Sequence, residues 1–323
     1  MRSPIRQTQS YLRNLFAAQG ISPQRRLGQN FLIDLNIHDL IVKTAEVGAL
    51  DVILEVGPGA GALTTLMAAQ GASVVAVEVD PGMAKLTRAA TEGLPNVRIL
   101  NLDALAGKNT INPVVLDHVR SGLSEGEGRR FKVVANLPYN VATPLIINLL
   151  VQEDLCPERL VVTIQREMAD RLIAAPATPA YGAVSVVVQA LADVLLIRAL
   201  PPSVFWPRPN VDSAVVAIEA SAMKRAAVRD LKGFHALIRR VFLHRRKYLR
   251  HALAEIWCEQ WTKPDVDRWL LSQGLSGQVR AEALGIEEFV ALADALQERF
   301  GKLPQSLMGS AAKEPHTEED GGE

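Results

Sequence analysis

The sequence predicts an α/β fold: a mostly parallel, doubly wound sheet followed by a small all-helical domain. Three observations predict it. Apolar runs alternate with helical periods from Val52 to Asn101, which is a βαβαβ order. The first run opens into a glycine turn, Gly57-Pro58-Gly59-Ala60-Gly61. Near residue 221 the texture changes to capped helical periods that continue to about residue 300.

The elements follow in chain order. Residues 10–19 form an amphipathic helical pattern closed by Gly20. Asp34 is placed to cap a second helix over 35–47, ending at Gly48. Residues 52–56 read as a buried strand, 62–70 as a helix, 73–79 as a strand, 83–90 as a helix and 97–101 as a third strand. A polar connection follows, and its second half, Ser121-Gly122-Leu123-Ser124-Glu125-Gly126-Glu127-Gly128, is expected to be a flexible loop. Then come a strand at 131–135, a helix at 144–152, a strand at 160–165 and a helix at 167–173. Residues 184–191 and 211–219 read as later strands. The expected domains are 1–220, the sheet with a helical N-terminal extension, and 221–304, all helical. Residues 305–323 lack apolar periodicity, and this acidic tail is expected to be disordered.

Composition narrows the class. With 323 residues and 48% hydrophobic content, the chain can build a core in each of two domains. No apolar run approaches the roughly 18–20 residues that span a bilayer. Met1 to Arg6 holds no apolar signal region, and Cys156 and Cys258 lie far apart, which points to a reducing cytoplasm without disulfides or a structural metal. The histidines show no metal-ligand spacing, so no metal is expected. The formal net charge is +0, but it is unevenly spread. Arg2, Arg6, Arg13, Arg25 and Arg26 stand in an acid-free N-terminus, and residues 224–250 carry ten Lys and Arg against Asp230 alone. Two basic stretches on a neutral chain suit a polyanion. No surplus amphipathic face stands out, so a monomer is expected.

The chemistry gathers at strand ends. Glycines at the first turn let a ligand approach the backbone. Glu78, about twenty residues beyond Gly57, can accept hydrogen bonds from two ribose hydroxyls. To this point a nicotinamide dehydrogenase and a methyltransferase fit equally. Asp103 ends the third strand, where a carboxylate can take the amine of a cofactor's adenine. Asn136-Leu137-Pro138-Tyr139 follows the fourth strand. Asn136 offers a side-chain carbonyl acceptor, and the backbone carbonyl of Leu137 can offer another. Pro138 removes a donor that would face an amine. Tyr139 offers a stacking face worth roughly 1–3 kcal/mol per base. The set reads as an S-adenosylmethionine site beside a pocket for a flat base with an exocyclic amine. Methyl transfer there requires alignment more than a strong base.

These residues carry a resemblance. The chain resembles the ribosomal RNA adenine dimethyltransferases of the KsgA type over nearly everything before the tail. The matching stretches include Arg26-Leu27-Gly28-Gln29-Asn30-Phe31-Leu32, Glu55 to Gly61, Glu78, Asp103 and Asn136 to Tyr139. Further matches are Gln165-Arg166-Glu167, Ala180-Tyr181-Gly182, Pro201 to Phe205, Pro209 to Val216, Arg245-Arg246-Lys247 and Arg280-Ala281-Glu282. The resemblance implies a Rossmann-like S-adenosylmethionine-dependent methyltransferase. Asn30, Leu32, Gly57, Glu78, Asp103 and Asn136 would bind the cofactor. Asn136, Leu137, Pro138, Tyr139 and Phe205 would be catalytic, with Phe205 closing on the base opposite Tyr139. The implied reaction places two methyl groups on each of two adjacent adenosines in the 3′-terminal hairpin loop of small-subunit (16S) rRNA, late in subunit assembly. Each adenine must leave its stack to reach the pocket. Arg25, Arg26, Arg245, Arg246 and Lys247 are the expected RNA contacts.

The departures concern the periphery. Val204 stands where that family more often has Ala, and Trp206 where it has a smaller residue; Trp206 is expected to serve packing. The 104–130 connection is longer than usual, and the acidic tail is outside the pattern. The competing functions are a large-subunit rRNA methyltransferase of the resistance type and a non-catalytic pre-ribosomal RNA-binding assembly factor.

Overall fold

Buried apolar strands of unequal exposure organise the chain. The computed structural model describes residues 7–24, 27–107, 110–243, 245 and 247–301. Arg25, Arg26, Arg246 and the acidic tail lie outside the described residues. In chain order the first elements are α1 (Gln9–Gln19), β1 (Phe31–Leu32), α2 (Leu35–Thr44), β2 (Asp51–Val56), α3 (Ala62–Ala69), β3 (Ser73–Val77), α4 (Pro81–Ala90) and β4 (Val97–Leu100). The short strands β5 (Leu105–Gly107) and β6 (Thr110–Ile111) pair with each other, and α5 (Pro113–Ser124) follows. Then come β7 (Arg130–Asn136), α6 (Tyr139–Leu150), β8 (Arg159–Gln165), α7 (Arg166–Leu172), α8 (Ala183–Leu191), β9 (Ala192–Leu200), β10 (Phe205–Trp206), β11 (Ser213–Ala220) and α9 (Ala222–Ala226). The last elements are α10 (Leu231–Phe242), α11 (Leu249–Ile256), α12 (Lys263–Ser272) and α13 (Ile286–Phe300).

Seven strands form the main sheet in the order β4-β3-β2-β7-β8-β11-β9. The first five are mutually parallel, and β11 runs antiparallel to both β8 and β9. Every residue of β2 is buried, as a parallel strand covered on both faces must be. The strand order reverses between β2 and β7, so their carboxyl ends flank the crevice where such sheets bind ligands. At the opposite end of these strands, Lys132 is 2% exposed. Its Nζ donates to the carbonyls of Ala45 and Glu46 and to Asp51, each at 2.9 Å. All three of its donors are used, which is what allows an ammonium to be buried. No helix among the described residues is long and apolar enough to cross a membrane.

The chain divides into two compact units, Met1–Leu231 and Lys232–Glu323. The division falls after the expected boundary at 220. Helix α9 packs on α8, and its Arg225 and Lys224 donate to carbonyls of Gln152 and Ala192 in the first unit. The second unit has its own core, where Phe300 lies 4.8 Å from Trp257 and 4.6 Å from Trp261 between ring centroids.

Three local expectations are corrected. Residues 184–191 are helix α8, not a strand. Their Val-rich run suits either state, and burial of Ser185, Val186, Val187, Val188, Ala190 and Leu191 against α6 and α7 selects the helix. The strand that follows is β9, a sheet edge with Leu195 at 57% exposure. Residues 121–124 are helical rather than loop. Asn112 caps α5, Pro113 opens it, and Gly122 lets it approach β2 so closely that a Cβ would lie 2.9 Å from Val52 Cγ1. Helix α6 begins at Tyr139, before the expected start at 144, and carries Pro144 inside it.

Candidate active site

The crevice is assembled from strand ends and from the segment that precedes the sheet. After β2 the chain enters a turn in which Gly57, Gly59 and Gly61 have φ of 75°, 59° and 81°. These left-handed values suit glycine. The turn also runs against its neighbours. A Cβ on Gly57 would meet Pro138 Cδ at 3.1 Å, and one on Gly59 would meet Phe31 Cε1 at 2.9 Å.

Glu78 follows β3 and is 6% exposed. Its Oε1 accepts from the backbone N–H of Asp80 at 3.0 Å, and its Oε2 accepts from that of Gly59 at 3.4 Å. Burial pushes its pKa up, against the pull of these bonds. Asp80 is a second hub. Its Oδ2 accepts from Gln24 Nε2 at 2.8 Å and from Gln29 Nε2 at 3.0 Å, while its Oδ1 caps α4 through Gly82 and Met83. The segment 24–29 is thereby tied to the loop that carries Glu78. Asp103, beyond β4, is exposed, and its Oδ1 accepts from Leu105 N–H at 2.9 Å.

Asn136 ends β7. Its Nδ2 donates to the carbonyl of Asn30 at 2.9 Å, which leaves Oδ1 as the accepting end of the amide. Leu137 N–H donates to Thr163 on β8 at 3.1 Å, and Pro138 stands at the N-cap of α6. The Tyr139 ring is half-buried, with its hydroxyl 2.8 Å from Ser213 Oγ. Burial raises the phenol pKa.

One cavity brings these residues together. Asn30, Leu32, Gly57, Glu78, Asp103 and Asn136 line it, as do Leu137, Pro138 and Tyr139. Phe205 does not, and its expected position over a base is corrected. It is 3% exposed, pairs with Leu32 in the β1–β10 ladder, and packs into the main core beside Val215 and Leu200. Trp206 serves packing, as expected. Its ring centroid is 5.5 Å from that of Phe16 and 6.3 Å from that of Phe31. In the second unit Arg245 pairs with Glu282 at 3.1 Å, and Lys247 is exposed.

Sequence reasoning did not single out two titratable residues of the cavity lining. Glu55 is 2% exposed and accepts from Thr64 Oγ1 at 2.6 Å; burial, with Glu78 nearby, pushes its pKa up to about 8. His38 is 3% exposed, and burial lowers its pKa to about 4, so its imidazole is neutral. The signal for Glu55 was a carboxylate inside an otherwise apolar strand. His38 carried none, because its helix reads as ordinary amphipathic pattern.

The cavity suits an adenosyl cofactor. The glycine turn presents bare backbone, buried Glu78 and exposed Asp103 supply two carboxylates, and Asn136, whose Nδ2 is engaged by Asn30, keeps its oxygen as an acceptor in the same cavity lining. The family model described as ribosomal RNA adenine dimethylase matches residues 21–298. The chain is 38% identical over 298 residues to ribosomal RNA small subunit methyltransferase A of Pelotomaculum thermopropionicum, covering 90% of this chain and 97% of that one. It is 37% identical over 286 residues to the protein of that name from Moorella thermoacetica, covering 88% and 96%. Among solved structures, a dimethyladenosine transferase from Plasmodium falciparum has the same fold, with a TM-score of 0.67 at 21% identity over 84% of this chain and 98% of that one. The 23S rRNA methyltransferase ErmE shares the fold with a TM-score of 0.56 at 24% identity, covering 83% and 100%. The chain belongs to the ribosomal RNA adenine dimethylase family and is an S-adenosylmethionine-dependent methyltransferase.

Proposed function

We propose that this protein dimethylates the exocyclic amines of two adjacent adenosines in the 3′-terminal hairpin loop of small-subunit rRNA, acting as a cytoplasmic monomer on immature subunits. The observation that carries the reading is the shared cavity: Asn136 to Tyr139 stand across the sheet's switch point from Gly57, with Glu78 and Asp103 on the same rim. S-adenosylmethionine supplies an electrophilic methyl group when bound. Glu78 would hold the ribose hydroxyls and Asp103 the cofactor's adenine amine, with Asn30, Leu32 and Gly57 completing the lining.

Asn136 Oδ1 and the Leu137 carbonyl would accept the N–H groups of the target amine, two before the first transfer and one before the second, and so fix its orientation. Pro138 presents no competing donor. The Tyr139 ring stacks on the base, and with Phe205 buried it is the aromatic face that the Asn136 to Tyr139 loop offers. The helical second unit contributes Lys247 and Arg245, and the N-terminal Arg25 and Arg26 contribute charge, for phosphate contacts.

The test is labelled methyl transfer to small subunits from cells that lack the modification, followed by mapping of the labelled positions. Label on the two adenosines of the terminal hairpin supports the reading. Label confined to large-subunit RNA, or none, overturns it.

A further inference from the structure

The Tyr139 hydroxyl lies 2.8 Å from the hydroxyl of Ser213, a residue with 0% exposure that does not line the cavity. Ser213 opens β11, an interior strand. It is in register with Gln165 of β8 on one side and Leu200 of β9 on the other. The residue before it, Asp212, accepts from Arg166 N–H at 2.9 Å, which ties the end of β8 to the start of β11. Ser213 is therefore one of the more firmly held points beneath the site.

Tyr139 needs such a hold. It is the first residue of α6, and Pro138 at the N-cap provides no side-chain capping bond. A half-buried ring at an uncapped helix start has two side-chain torsions to fix. A hydrogen bond at the far end of the ring fixes the direction of the side chain, and the in-plane preference of a phenol O–H biases the turn of the ring about its own axis.

We infer that Ser213 is a positioning residue for methyl transfer: its hydroxyl anchors that of Tyr139 and so holds the ring in the place where the target base stacks. The inference rests on the functional reading above. Ser213 touches neither base nor cofactor; it acts through Tyr139. Burial keeps the Tyr139 phenol protonated well above neutral pH, so the bond persists across the working range. Losing the bond leaves the ring free to leave its stacking pose without emptying the cofactor compartment. The loss therefore falls on the rate of transfer rather than on cofactor affinity.

The experiment is a double-mutant cycle of Ser213→Ala and Tyr139→Phe, each variant checked by thermal midpoint and by calorimetric titration with S-adenosylmethionine. Tyr139→Phe removes the bond without altering β11, so the cycle stands even if Ser213→Ala folds poorly. Each single variant is expected to lower the single-turnover rate on small subunits about two- to tenfold, with the cofactor Kd within about twofold of wild type. The double variant is expected to be no slower than Tyr139→Phe alone, because both remove the same bond. Multiplying effects, or a Tyr139→Phe variant at the wild-type rate, overturn the inference. Absence of transfer by the wild-type protein overturns the functional reading, and this inference with it.

Discussion

Asn136 donates its side-chain amide to the backbone carbonyl of Asn30 at 2.9 Å, across 106 residues of sequence. The bond links the end of β7 to the segment before β1 and turns the amide oxygen away from Asn30. One side chain of the cavity lining thus braces a wall and keeps an acceptor free of that brace.

Asn136→Ala removes both functions. Its single-turnover methylation rate is expected to fall by about 100-fold or more, the scale seen when one preorganised polar contact to a reacting group is lost. Asn136→Asp keeps an acceptor but sets a carboxylate against the Asn30 carbonyl, and is expected to lose activity on the same scale. Urea unfolding should show both variants within about 2 kcal/mol of wild type. Methylation by Asn136→Ala at half the wild-type rate or faster would remove Asn136 from the reaction.

Gly57 is constrained twice, by φ of 75° and by Pro138 Cδ at 3.1 Å from where its Cβ would stand. Alanine there costs about 1–2 kcal/mol in a left-handed conformation and displaces Pro138 as well. Calorimetry should show S-adenosylmethionine binding to Gly57→Ala weakened about tenfold or more. An unchanged Kd would show that the turn is not part of the cofactor's seat.

Glu55 should impose a pH dependence on stability. Its carboxyl titrates near 8 in the folded protein, above the ordinary 4.5, so the folded state keeps a proton that the unfolded chain has released. The stability from that proton is fully present below about pH 4.5 and is lost as pH rises through about 8. Glu55→Gln keeps the shape and abolishes the titration. Between pH 5 and 8 the thermal midpoint of wild type should fall several degrees relative to that variant. Parallel curves would mean that Glu55 is ionised in the fold.

Lys247 is exposed, whereas Arg245 is engaged by Glu282. Lys247→Ala is expected to weaken binding to small-subunit RNA and to reduce the slope of log affinity against log salt by about one. Arg245→Ala should change that slope less. Titrations at several salt concentrations decide it, and a wild-type slope for Lys247→Ala would make it an ordinary surface charge.

The interior strands β2, β3, β7 and β8 were legible because buried parallel strands are written as unbroken apolar runs. The same rule misread Val184 to Leu191, since a helix buried on nearly every side is written the same way. Strand β9 escaped notice because, as an edge, it mixes exposed Leu195 and Arg198 with buried ends. Of the site, the residues at strand ends were legible from their places in the βα alternation: Gly57, Glu78, Asp103 and Asn136. Asp80 as a brace for Gln24 and Gln29, and Ser213 beneath Tyr139, depend on contacts between distant segments that no local pattern encodes. Phe205 was misplaced because an aromatic in a proline-rich turn reads alike whether it faces a ligand or the core.

The two-residue ladder that pairs Phe31 with Trp206 and Leu32 with Phe205 has a consequence for biosynthesis. One wall of the cavity belongs to a segment made before the sheet, and the strand that holds it is made near the end of the sheet unit. Strands β2, β3 and β4 can pair as they emerge, while Phe31 to Ile33 must wait for residues 204–206, bearing the entropic cost of a long loop to close. The parallel half of the sheet can exist before that wall of the cavity is complete, and the wall gains its ladder only after translation has passed Trp206.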